Sequence, residues 1–356
     1  MIVYFSKMYQ AIPALQELYK KTGGVMITTR LSTFLKVKKN FPDTDIRLTK
    51  EYLPNWWPSK KIMHQADVIV TGSPNKEFLS KFQAKKVMTF HGTFAYADKT
   101  QWFKFEHFDY LLSIGPRMTE YLSEAGFKNK IIESGYLPFM GFNSLSTKEK
   151  SRLYKKLNLA ESLRTILYMP RANPFGSWDV LAKRLIEETP KDFNLILRPH
   201  PSLAVKMNIG RQYQLREIRK LCKKRGNAVL DLTENSLSSI FNITDLLICD
   251  GASSPEDSLF YKIPIIFVET NQTSKAKFAE ALKKQNLPDL FIKKRLSIYD
   301  CGLSIQLTDS IEAKIKEALN SACEKQKAQE SYFNWVFGDR SNKRQKRSVE
   351  FLSKLY

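Results

Sequence analysis

The stretch IVYFSKMYQAIPALQELYKKTGGVMITT, residues 2–29, decides the fold. IVYF (2–5) is a short apolar run of strand character. AIPALQELYKK (11–21) carries its apolar residues at helical spacing and is stopped by Gly23 and Gly24. VMITT (25–29) is a second strand. A strand, a helix and a strand in succession predict a parallel pair joined by a crossover helix.

The same alternation runs outward along the chain. LSTFLKVKKNF (31–41) reads as a helix and DIRLT (45–49) as a strand. DVIVTG (67–72), KVMTF (86–90) and YLLSIG (110–115) are further strands, RMTEYLSEAGF (117–127) is a helix, and KIIESGY (130–136) closes the series. In LPFMGFNSLSTKEK (137–150) the pattern loosens into Pro, Gly, Asn and Ser, the composition of a linker. A second series then begins. TILYMP (165–170), FNLILRPHP (193–201), AVLDL (228–232), DLLICD (245–250) and IPIIFVE (263–269) are its strands. SWDVLAKRLIEE (177–188), LREIRKLCKKRG (215–226) and SPEDSLFYK (254–262) are helices between them. Two further helices, KAKFAEALKKQ (275–285) and SIEAKIKEALNSACEKQ (310–326), precede a tail rich in aromatic and basic residues. The expectation is an α/β protein of two Rossmann-like, doubly wound parallel-sheet domains, residues 1–140 and 141–330. The tail 331–356 is expected to be helical and to pack back on the first domain. Ligands of such sheets bind beyond the carboxyl ends of the strands, here in a cleft between the domains.

Composition narrows the partners. The 356 residues hold 57 Lys and Arg against 36 Asp and Glu, a formal charge of +21. Such a surplus suits a polyanion: nucleic acid, an anionic membrane or a phosphate-rich substrate. The four cysteines, Cys222, Cys249, Cys301 and Cys323, are far apart and form no CxxC pair, which points to a reducing cytosol and to no zinc site. No secretory leader and no apolar run of about 18 residues is present, so the chain is expected to be soluble or to lie on a membrane without crossing it.

Three polar clusters follow directly after strands. The first is His91-Gly92-Thr93 after KVMTF. A neutral imidazole there can take a proton from a hydroxyl, and the glycine allows a ligand close to the backbone; a histidine merely hydrogen-bonded at a strand end has the same sequence. The second is LRPHPS (197–202), where two prolines stiffen a segment presenting Arg198 and His200, both suited to a phosphate. The third is Asp250-Gly251-Ala252-Ser253-Ser254, leading into a helix expected to begin at Pro255, with Asp257 in its first turn. Serines at a helix start cap it, and the free N–H groups form a phosphate site. Asp257 exceeds what capping requires and suits polyol or ribose hydroxyls. Asp43-Thr44-Asp45 matches a metal-binding Asp-x-Asp pattern, but precedes a strand, and His64 and His107 read as structural.

These clusters, in this order, resemble the CDP-glycerol glycerophosphotransferase family of teichoic-acid and capsule biosynthesis. HGT, the segment KEKSRLYKKLNLAESLRTILYMPR (148–171), LILRPHP, FNITDLLICDGASSPED (241–257) and FGDRSNKR (337–344) each resemble a family motif. Two stretches depart from the family pattern. Asp250-Gly251-Ala252-Ser253 with Asp257 stands where Asp-Tyr-Ser-Ser-x-x-x-Asp is usual, and GYLPFMGF (135–142) lacks the usual Arg and Asp. The first 86 residues match no motif of the family. The resemblance implies a GT-B fold and transfer of glycerol phosphate or a related polyol phosphate from a CDP-linked donor, with release of CMP. It implies His91 as general base, with Gly92 and Thr93 supporting it. Arg198, His200, Ser253, Ser254, Gly251 and Arg171 would lie at the donor phosphates, and Asp250 and Asp257 at polyol or ribose hydroxyls. No cofactor or metal is expected. A polyol-phosphate or glycolipid acceptor and an anionic membrane are the expected partners, at the inner face of the bacterial cell membrane. A GT-B glycosyltransferase using a nucleotide sugar for capsule or lipopolysaccharide synthesis is the alternative. A non-catalytic nucleic-acid-binding protein is disfavoured, because the charge is dispersed and the polar clusters sit at strand ends.

Overall fold

The computed structural model describes residues 1–90, 92–93, 99–172, 176–205, 209–232, 234–251, 253–285, 287–341 and 343–355. The chain divides into two compact units, Met1–Phe142 with Asn334–Tyr356, and Asn143–Phe333.

The first unit is built on β1 (Ile2–Phe5), β2 (Val25–Thr28), β3 (Ile46–Leu48), β4 (Val68–Thr71), β5 (Lys85–Thr89), β6 (Tyr110–Ser113) and β7 (Ile131–Glu133). The order β3-β2-β1-β4-β5-β6-β7 is parallel throughout, and the order reverses between β1 and β4. Strands β1, β2 and β4 are buried along their whole length, which is why they read as unbroken apolar runs and not as alternating ones. The opening stretch folds as expected: Ile12–Thr22 is the crossover helix and Gly23 its cap. Its apolar face, Ile12, Leu15 and Leu18, packs on Tyr4, Met26 and Val70. The helix Lys343–Ser353 adds Leu352 to the same core, and its Ser348 hydroxyl donates to the Ser134 carbonyl at 3.2 Å.

The second unit holds β8 (Arg164–Met169), β9 (Phe193–Leu197), β10 (Ala228–Leu230), β11 (Leu246–Cys249), β12 (Ile265–Glu269) and β13 (Leu303–Gln306). They are again all parallel, in the order β10-β9-β8-β11-β12-β13, with the reversal between β8 and β11. Both sheets are thus doubly wound.

Several details differ from the sequence reading. The expected linker ends in structure, since Thr147–Leu157 is a helix closed by a Ser146–Glu149 capping box. The helix expected over 310–326 breaks at Ser321 into Ile311–Asn320 and Ala322–Phe337. Strand β13 and the helices Pro58–His64 and Asp289–Leu296 were not foreseen. The helix expected to start at Pro255 starts at Ser253, which puts the proline in its first turn, where a missing N–H is tolerated.

Candidate donor-binding site

The second unit gathers its strand-end residues at the point where the strand order reverses. Asp250 follows β11 and is buried. Its Oδ2 accepts the backbone N–H groups of Arg171 and Ser177, both at 2.8 Å, and its Oδ1 accepts the Ser177 hydroxyl. Burial pushes its pKa up, and the bonds from Ser177 and Arg171 hold it down. Both oxygens are therefore committed to closing the loop that follows β8. Asp250 thus ties Arg171 and Ser177 together. Gly176 completes the closure: a Cβ there would lie 2.2 Å from the Arg171 carbonyl oxygen, so only glycine fits.

Arg171 follows β8 and His200 follows the neighbouring strand β9. Burial, and the charge of Arg171 behind it, lower the His200 pKa below its usual value. The ring's tautomer follows from its partners. The backbone N–H of Ser202 points at Nδ1 from 3.2 Å, and the Ser202 hydroxyl lies 2.8 Å from the same atom. A backbone N–H can only donate, so Nδ1 accepts and the neutral ring carries its proton on Nε2. At neutral pH His200 thus offers a hydrogen-bond donor at Nε2.

Arg198, after β9, is a different case. It is buried, and its Nη1 donates to Asp231 Oδ2 at 2.5 Å and to the Asn235 carbonyl at 3.0 Å. Asp231, after β10, is itself buried and also accepts the Glu234 N–H at 3.0 Å. The guanidinium read as a phosphate ligand is therefore first of all half of a buried ion pair that fixes the loops after β9 and β10. Asp231 was missed, although it too is an acid at a strand end, in AVLDL.

Behind the serine loop, Gly251 adopts a left-handed conformation (φ 71°) against the Tyr299 hydroxyl, 3.0 Å from where a Cβ would stand. Ser254 is half-buried and Asp257 buried on the helix Ser253–Ser258; the Ser253 side chain lies outside the described residues. That helix is pinned by Glu256, which accepts from the Arg295 guanidinium and, at 2.8 Å, from the Tyr332 hydroxyl, all three groups being buried.

In the first unit, His91 lies outside the described residues. Its neighbours Gly92 and Thr93 are described. Thr93 is buried, and its carbonyl accepts from Arg117 Nη2 at 2.7 Å. Arg117, also buried, stacks on the Trp335 ring at 5.3 Å, so the C-terminal segment braces the loop after β5. The Asp43–Asp45 pair lies before β3, away from the strand ends that carry the clusters, with Asp45 bound to Arg47 at 3.1 Å. His107, packed on Phe108, has its pKa lowered to about 4 by burial and by Lys76, Lys86 and Lys130. Cys222, Cys249 and Cys301 are buried free thiols raised by burial, and Cys323 is exposed. Among the described residues no three His, Cys, Asp or Glu side chains cluster as metal ligands, and no helix is long and apolar enough to cross a membrane.

Two doubly wound parallel sheets in one chain match a GT-B-like fold. The chain belongs to the CDP-glycerol:poly(glycerophosphate) glycerophosphotransferase family, whose profile matches residues 11–277. It is a transferase of polyol phosphate from a CDP-activated donor, of the kind that serves teichoic-acid synthesis. The match begins far upstream of His91 and so takes in most of the segment that sequence motifs left unplaced. Among solved structures, the wall teichoic acid polymerase TagF is similar over 99% of this chain and 88% of its own, at 18% identity and a TM-score of 0.70. A variant of that polymerase soaked with CDPG is similar at 17% identity, with a TM-score of 0.69 over the same shares. Anabaena Alr3699/HepE in complex with UDP and glucose is similar at 11% identity and a TM-score of 0.53, over 99% of both chains. A search of curated protein sequences returned no match.

Proposed function

We propose that the second unit holds the CDP-linked donor at the β8–β11 switch point, and that His91 of the first unit activates the acceptor. In this reading Arg171 and the Nε2–H of His200 engage the pyrophosphate, with Ser253, Ser254 and the Gly251 backbone beside them. Arg198 lends positive potential from its pair with Asp231, and Asp257 orients polyol or ribose hydroxyls. His91 takes the proton of an acceptor hydroxyl as the oxygen attacks the distal phosphorus. The bond from that phosphorus to the bridging oxygen breaks, its electrons stay on that oxygen, and CMP departs. A new phosphodiester joins the polyol phosphate to a polyol-phosphate or glycolipid acceptor at the inner face of the bacterial cell membrane.

The observation that supports this reading most is that Arg171, Arg198, His200 and Asp250 follow the carboxyl ends of the neighbouring strands β8, β9 and β11, where the strand order reverses. The structures of TagF soaked with CDPG add the ligand class on a shared fold. The test is His91→Ala: turnover is expected to fall by about 10²–10⁴ while donor affinity stays within a few-fold. Near-normal turnover would remove His91 from the base role.

A further inference from the structure

Gly251 stands where a tyrosine usually follows the strand-end aspartate, and the space beside it is taken by a tyrosine from elsewhere in the chain. Tyr299 lies on the short 3₁₀ helix Ser297–Cys301, ahead of β13. Its ring packs on Phe267 of β12, with centroids 4.8 Å apart, and on Phe278 of the helix Lys275–Lys283 at 6.3 Å. Phe267 pairs with Cys249 across the β11–β12 ladder, so the ring is anchored beside the last residue of β11. From there the phenol reaches the residue after Asp250. A Cβ on Gly251 would stand 3.0 Å from the Tyr299 hydroxyl and 3.5 Å from the ring carbon that bears it. A side chain at 251 and the phenol of Tyr299 therefore compete for one place. The φ of 71° at Gly251 disfavours a side chain there a second time.

A buried tyrosine normally bonds its hydroxyl to the protein. In the same unit Tyr168 pairs with the Ser177 hydroxyl at 2.7 Å, and Tyr332 donates to Glu256 at 2.8 Å. Tyr299 is equally well packed, yet among the described residues its hydroxyl has no hydrogen-bond partner, and solvent reaches the oxygen. Burial first, then Cys249 and Glu269, push its pKa up, so the group keeps its proton and can donate at any working pH.

We propose that Tyr299 is a donor-binding residue, whose hydroxyl donates a hydrogen bond to a phosphate oxygen of the CDP-linked donor at the loop 251–254. A phosphate offers acceptors only, and a phenol fixed by its ring meets one without losing freedom on binding. The assignment also accounts for the departure from Asp-Tyr-Ser-Ser: in this chain the phenol beside the loop comes from residue 299, and residue 251 must then be small. The phosphate contact rests on the function proposed above, which puts the donor phosphates at this loop; the packing of Tyr299 against Gly251 does not.

The test is calorimetric titration of the purified full chain with CDP and with UDP, beside steady-state kinetics on CDP-glycerol and urea denaturation. Tyr299→Phe removes the hydroxyl alone. Because that hydroxyl bonds nothing in the protein, the variant should denature at the native urea concentration. Its affinity for CDP should fall by about tenfold. KM for CDP-glycerol should rise to match with kcat nearly unchanged, as for a contact made equally in the ground and transition states. Tyr299→Ala, which also strips the ring from Phe267, should lose stability as well. Unchanged CDP affinity and KM in Tyr299→Phe, with the native chain binding CDP, would overturn the assignment and leave the function standing. A urea midpoint lowered as far by Tyr299→Phe as by Tyr299→Ala would also sink it, since the hydroxyl would then be a structural bond. Binding of UDP in place of CDP, with the same tenfold loss in Tyr299→Phe, would contradict the donor class and support the phosphate contact. A native chain that binds neither nucleotide would overturn both.

Discussion

The two sheets share a doubly wound order and differ in how the residues after particular strands are used. In the second unit the residues after β8, β9, β10 and β11 are bonded to one another: Asp250 to Arg171 and Ser177, Arg198 to Asp231, His200 to Ser202. In the first unit the residues after β2 and β3 are turned outward, with Leu31, Tyr52 and Trp56 exposed to water. The inward bonding of the second unit suits a charged ligand. A pyrophosphate needs donors fixed before it arrives, because a charge-stabilising site works by not having to reorganise.

The contrast breaks most severely at Arg198. Arg198→Met leaves Asp231 buried without its cation, and removing one partner of a buried pair costs about 3–5 kcal/mol. Urea denaturation should register that loss, whereas Trp56→Ala, which removes an exposed ring, should stay within about 0.5 kcal/mol of the native chain. Equal effects from the two would mean that the inward network is not what organises the second unit.

A smaller effect attends His200. Its pKa in the fold lies below its usual value, so the neutral ring is the form the fold favours. The contribution of this neutral form to stability is full above the unfolded-state pKa of about 6.5 and is lost as pH falls from there through the lower folded value. His200→Asn keeps an acceptor for the Ser202 N–H and cannot titrate. Thermal melts from pH 7 downward should therefore show a shallower decline for the variant than for the native chain. Parallel curves would place the pH dependence elsewhere, His107 being the next candidate, since its pKa is lowered to about 4.

Much of the fold was legible because the buried strands of a parallel sheet are continuous apolar runs, as in IVYF, VIVT and LLIC. What escaped was structure whose signal is weak or lies elsewhere in the chain. Strand β13, Leu303–Gln306, sits at a sheet edge and alternates apolar with polar residues, so it lacks that signature. The break at Ser321 interrupts a stretch whose composition favours helix on both sides. The candidate site followed the same division. Arg198, His200 and Asp250 stood out as polar residues at the ends of buried strands, but what each one holds did not. The Arg198 partner is Asp231, and the Asp250 partners lie at Arg171 and Ser177, more than 70 positions away. Local pattern cannot pair residues at that range.

The most direct measurement is nucleotide release by the purified full chain, in the presence of a glycerol-phosphate acceptor, from CDP-glycerol, CDP-ribitol, and UDP- and GDP-sugars. The account predicts CMP from a CDP-polyol and no UDP or GDP above background. Release of UDP or GDP from a nucleotide sugar, with the CDP-polyols left intact, would contradict it.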